Sequence, residues 1–147
     1  MKFNKKVLLE CEIDKAFNFH LNPENISRIS PPGLSAKIVK ITDSPLKLNS
    51  EVTLEVKQFF FTSEWLVKIS EFREPNVICD EQLKGVFKYW KHYHIFEQDA
   101  NGTRMTDRIF FTPPFGFFGL LASPFILLGL WIMFTVRHKK TKEILEK

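Results

Sequence analysis

His92, His94 and Asp107 are the residues whose types and spacing could do chemistry in this chain of 147 residues. Two histidines at i and i+2 in a strand point their imidazoles to one face. A carboxylate on the neighbouring strand would hydrogen-bond an imidazole and favour its charged form. Such a group has three uses. It can be a satisfied polar pair in the core, a polar anchor in an apolar pocket, or an acid–base pair moving protons on a carbonyl compound. His92, His94 and Asp107 could also ligate a metal. Three ligands among large apolar neighbours are thin grounds for one, so neither metal nor cofactor is expected.

The turn Asp99-Ala100-Asn101-Gly102 is what brings Asp107 to the histidines, because Asn-Gly accepts positive φ cheaply. Taken as a four-residue loop, it sets Gln98 opposite Thr103. Counting back pairs Phe96 with Met105, His94 with Asp107, His92 with Ile109 and Trp90 with Phe111. That register gathers Trp90, Phe96, Met105, Ile109 and Phe111 on the face that carries His92, His94 and Asp107. The other face carries Lys91, Tyr93, Thr106 and Arg108, with Tyr89, Ile95 and Phe110 blunting the contrast.

The elements around this hairpin follow from periodicity and turn residues. Val7, Leu9, Cys11 and Ile13 alternate as a strand, and Asp14 then caps a short helix. Pro23-Glu24 opens a second short helix, which Pro31-Pro32-Gly33 ends. Strand-like runs follow at about 34–42, 51–61, 64–74, 77–85, 86–98 and 103–112. Pro113-Pro114 stops the last one, and an apolar helix is expected over about 116–146. Segregated strands followed by one long helix predict an α+β fold over residues 1–147, a seven-stranded antiparallel curved sheet gripping the C-terminal helix.

Residues 115–136 carry no charge and are long enough to be considered as a membrane span. Gly116, Gly119, Pro124 and Gly129 interrupt them, and the basic run Arg137-His138-Lys139-Lys140 follows. The strands also need this helix as their cover. Packing on the sheet is therefore preferred, with a homodimer or a peripheral membrane contact hiding the outer face. Lys139, Lys140 and Lys142 read as a solvated helix end. Val7-Leu8-Leu9 is too short for a secretory signal, so the expected address is cytoplasmic, with membrane association left open.

Composition excludes several classes. A net charge of +4 is mild, and the basic start has no aromatic platform, so nucleic acid is not an expected partner. Cys11 and Cys79 form neither a disulfide framework nor a zinc motif. No phosphate-binding glycine loop or nucleophile elbow occurs. Sixteen phenylalanines stand against three Trp and two Tyr, which suits a Phe-rich core and also a wide apolar cavity.

One run of residues carries a resemblance: Trp65, Ile69 and Phe72, Pro75, Asp80-Glu81-Gln82, Gly85, Phe87, Trp90-x-His92-x-His94-x-Phe96, Gly102-Thr103, Met105-Thr106-Asp107 and Pro114-x-Gly116. In order and spacing it resembles the START-like (SRPBCC) superfamily of helix-grip proteins, near the small bacterial domains related to polyketide cyclases and dehydrases. The resemblance implies two short helices after the first strand and a C-terminal helix over a hydrophobic cavity. It also implies lipids, sterols or polyketides as ligands and, in some members, cyclisation or dehydration.

The expected function is thus binding of an apolar small molecule between sheet and helix. Trp65, Trp90, Phe96, Met105, Ile109, Phe111, Phe125 and Leu128 would contact its body, and His92, His94 and Asp107 its polar end. The alternatives are a cyclase or dehydratase using the His–Asp pair, and a membrane-proximal interaction protein.

Overall fold

β1 (Lys2–Leu9) turns directly into α1 (Ile13–Leu21), and α2 (Asn25–Ile29) follows before the meander begins. The computed structural model describes residues 1–147. β1 is shifted from the expected strand. Cys11 lies beyond its end and Ile13 opens α1, for which Glu12, not Asp14, is the N-cap. The meander is β2 (Leu34–Ile41), β3 (Glu51–Gln58), β4 (Phe61–Arg73), β5 (Val77–Lys84), β6 (Tyr89–Asp99) and β7 (Gly102–Thr112).

The seven strands form one antiparallel sheet in the order β1-β7-β6-β5-β4-β3-β2. Register shifts at Ile38/Lys40, Leu66/Val67 and Ile69/Glu71 bend it, since an extra residue on one strand raises local twist. The β6–β7 register is the one the Asn-Gly turn dictates, with His94 opposite Asp107 and Trp90 opposite Phe111. Gly102 has φ +142°, and a Cβ there would collide with the Leu9 carbonyl of β1. The turn therefore fixes the hairpin and its seat against the first strand.

The C-terminal helix is not continuous. α3 (Gly116–Leu121) ends at Ala122, and α4 (Ser123–Leu145) begins anew. Pro124 is the cause: it has no N–H for the preceding turn but suits the first turn of a helix. α4 then lies in the concave face of the sheet. Its buried residues Leu130, Phe134, His138, Thr141 and Leu145 recur every three or four positions and define one inward face.

Basic residues at the far end of α4 grip the rest of the chain. Lys140 donates to the Ser30 carbonyl at 2.6 Å and Lys142 to that of Leu8 at 2.8 Å. They are therefore not the freely solvated ends expected from sequence. No helix of the structure is long and apolar enough to cross a bilayer.

The apolar interior is divided. One cluster packs Leu9, Phe17, Ile78, Phe96 and Met105 under α1 and the end of α4. The other packs Phe3, Trp90, Ile109, Phe111, Leu130 and Phe134 under the first half of α4. Polar side chains occupy the zone between them.

Candidate functional site

That zone contains all four histidines of the chain, although 72 residues separate His20 from His92 and another 44 separate His94 from His138. β6 supplies His92 and His94, β7 supplies Asp107, and β5 supplies Asp80, paired with His92 across the sheet. α4 lowers Arg137 and His138 onto them, and α1 brings His20, whose ring lies 5.3 Å from that of His94.

Asp107 is the hub. His92 Nε2 donates to its Oδ1 at 2.8 Å, and His138 Nε2 to its Oδ2 at 2.6 Å. His94 Nδ1 lies 2.9 Å from Oδ1 but off the hydrogen-bonding line, so that nitrogen has no aligned partner. The same two imidazoles also reach the second carboxylate. His94 Nε2 lies 3.3 Å and His92 Nδ1 3.7 Å from Asp80 Oδ2. The two rings, 4.0 Å apart, thus bridge two carboxylates.

Burial sets the protonation states, and the contacts then reverse some of them. Burial would raise the Asp107 carboxyl, but hydrogen bonds from His138 and His92 and the adjacent His94 imidazole hold it well below the usual range. Asp80 is lowered against its burial by His92 and His94. Burial would depress His94, yet its contacts with Asp107 and Asp80 raise it to about 9. His92 is lowered by burial and by the neighbouring His94 charge. His20 is pushed down to about 4 for the same two reasons, and its Nδ1 bonds the Ala16 carbonyl.

Besides His94 Nδ1, two further atoms of the site are left over. Arg137 Nε and His138 Nδ1 are buried without a hydrogen-bond partner. Arg137 forms no ion pair either; its guanidinium lies over the Phe134 ring at 5.4 Å. Unpaired buried polar atoms are costly and rare, so these are atoms that a ligand could satisfy.

Aromatic rings connect this centre to one end of the sheet. Trp65, Phe87 and Trp90 touch one another at 4.8–5.9 Å, Phe87 meets Phe111 at 5.6 Å, and Trp90 reaches His92 at 6.4 Å. Trp65, Trp90, Ile109 and Phe111 therefore lie together. Phe96 and Met105 sit in the other cluster, beyond the polar zone.

Phe125 and Leu128 do not join the site. They are 77% and 55% exposed, on the outer side of α4. At 3.6 residues per turn, positions five and two before the inward Leu130 point away from the sheet.

The wide cavity expected from the phenylalanine content is also not open. The cleft bordered by His94, Asp107, Phe134, Arg137 and His138 holds about 20 Å³, the space of one water. A larger depression of about 340 Å³, between 10–15 and 145–147, is charged and lies apart from the centre.

Sequence reasoning missed Asp80, His138, His20 and Arg137. Asp80 shares strand parity with buried Ile78, and His138 lies four residues after Phe134, so both were findable by periodicity.

A curved antiparallel sheet closed by a C-terminal helix, with its polar centre inside the grip, is the helix-grip architecture of the START-like superfamily. The chain belongs to the polyketide cyclase/dehydrase and lipid transport family, whose model matches residues 9–126. No curated protein matches the sequence. Among solved structures, protein CV1439 from Chromobacterium violaceum superposes with a TM-score of 0.78 at 10% identity, over 99% of this chain and 97% of that one. The di-domain ARO/CYC StfQ from the steffimycin biosynthetic pathway gives 0.74 at 11%, over 99% of this chain and 50% of its own. Ara h 8.0201 gives 0.65 at 12%, over 96% and 97%. At such identities the shared property is the fold.

Proposed function

We propose that the protein binds an apolar small molecule between its sheet and α4, and exchanges it with a membrane surface at the aromatic end of the grip. The observation that carries this reading is the aromatic path from Phe87 through Trp90 to a buried polar centre that still has unpaired polar atoms. The body of the ligand would lie among Trp65, Trp90, Ile109 and Phe111. Its polar end would accept hydrogen bonds from Arg137 and the histidines, which favours a carboxylate or another acceptor-rich group. The family description, which includes lipid transport, agrees with a ligand of this kind. Since the cleft holds only about 20 Å³, uptake requires α3 and the start of α4 to part from the aromatic layer.

The membrane contact rests on what surrounds that end. The β3–β4 tip exposes Phe59, Phe60 and Phe61 at 84%, 99% and 78%. β3 ends, β4 starts and β7 ends on the same side of the sheet, so Phe115, Phe117 and Phe118 of the α3 region project from that end as well. Lys57 and Lys84, ion-paired with Glu55 and Glu64, and Lys88 flank it, while residues 113–136 carry no acid. Protruding phenylalanines beside lysines fit an anionic bilayer surface, where a lysine without an acidic partner, such as Lys88, contributes about 1 kcal/mol.

The test is native mass spectrometry of untagged protein purified without detergent, with organic extraction and co-sedimentation on phosphatidylserine vesicles. A co-purified apolar molecule that is lost in Arg137→Met supports the ligand reading; a clean apo mass that no fatty acid or polyketide shifts overturns it. Sedimentation abolished by Phe60→Ser with Phe118→Ser supports the membrane contact. A dimer with no vesicle binding overturns it.

A further inference from the structure

From the arrangement of Asp80, His92 and His94 we infer a site for one divalent transition-metal ion, of the zinc class, inside the grip. Each of the three residues offers one ligand atom within 4.8 Å of the other two. The two edges that meet at the carboxylate are 3.3 and 3.7 Å. A tetrahedral ion with bonds of about 2.1 Å needs donors about 3.4 Å apart, and the two edges bracket that value. An octahedral ion with similar bonds would bring adjacent donors to about 3.0 Å, which fits less well.

The outer nitrogens strengthen the assignment. Ligating histidines usually hold their second nitrogen on a carboxylate, which fixes the tautomer and raises ligand basicity. Here the second nitrogens of both His92 and His94 meet one oxygen of Asp107, at 2.8 and 2.9 Å. His138 holds the other Asp107 oxygen, so the orienting carboxylate is itself fixed from α4. Three protein donors leave one tetrahedral position for a water or a ligand atom. Asp80 and His94 retain 20% and 18% side-chain exposure, against 6% for His92, which gives an ion a route in. The site shares His92 and His94 with the ligand reading above but does not depend on it, and the ion alone is enough to test it.

The experiment is titration of chelator-stripped, untagged protein with Co²⁺ and Zn²⁺, read by the visible d–d spectrum of cobalt and by calorimetry. All four histidines are in this cluster, so the chain has no rival imidazole site. One equivalent with a tetrahedral cobalt spectrum, competed by Zn²⁺, is expected. Asp80→Asn, at a partly exposed position, should weaken binding at least tenfold while the circular dichroism stays unchanged. Asp107→Asn should weaken it 10–100-fold by loosening both imidazoles. Absence of a stoichiometric cobalt spectrum in the folded parent, or parental affinity retained in both Asp80→Asn and His92→Gln, overturns the site.

Discussion

His138 of α4 donates a 2.6 Å hydrogen bond to Asp107 of β7, and it is the one hydrogen bond between side chains that joins this helix to the sheet. The other oxygen of the same carboxylate receives His92. Docking of the helix and geometry of the polar centre are therefore one structural feature. Both apolar clusters border it, so α4 cannot lift from the sheet without exposing Asp107.

Asp107 should accordingly dominate the stability of the grip. Removing one partner of a buried, hydrogen-bonded ion pair costs about 3–5 kcal/mol, because the remaining charge is left uncompensated. Asp107→Ala is expected to lose that much in urea unfolding, and His138→Gln, which can still donate from its amide, distinctly less. An Asp107→Ala protein within about 1 kcal/mol of the parent would show that α4 is held by apolar packing alone.

With a chelator present, stability should peak near neutral pH and fall on both sides. His94 titrates at about 9 in the fold against its ordinary 6.5, so folding favours its charged form. That contribution, about 3 kcal/mol, is complete below about pH 6.5 and is lost as pH rises through 9. His20 behaves oppositely: kept neutral down to about 4, it stabilises above 6.5 and ceases to as pH falls toward 4. The depressed Asp107 contributes above its ordinary value near 3.8, and that contribution is lost in stronger acid. Urea midpoints at pH 5, 7 and 10 measure both limbs. His94→Gln should flatten the alkaline one, and an unchanged limb would assign it to other groups.

The hairpin was legible because a short Asn-Gly turn leaves little freedom in register, and a register converts sequence distance into facing residues. His94 opposite Asp107 followed from that alone. Asp80 and His138 are set by longer-range choices, namely which strand neighbours β6 and which side α4 presents. A uniformly apolar stretch such as 115–136 hides its inward face until the packing is known. Pro124 concealed the helix break for a related reason: proline suits the first turn of a new helix as well as it ends an old one. The openness of the cavity was not legible at all, since large aromatic side chains can either line a space or fill it.

Two glycines should respond to the same substitution with opposite signs. Gly102 has a φ that only glycine adopts without strain, and an added methyl would strike the Leu9 carbonyl of the neighbouring strand. Gly102→Ala is therefore expected to cost about 1–3 kcal/mol and to disturb the turn that aligns β6 with β7. Gly129 is exposed in the interior of α4, and a methyl group added there would meet nothing within 4 Å. At that position alanine restricts the unfolded chain and raises helix propensity, so Gly129→Ala should gain about 0.5–1 kcal/mol. Urea unfolding of the two variants side by side decides the matter. If Gly129→Ala destabilises instead, the added methyl group meets atoms in solution that the open space beside Gly129 does not contain, and this face of α4 is covered rather than exposed.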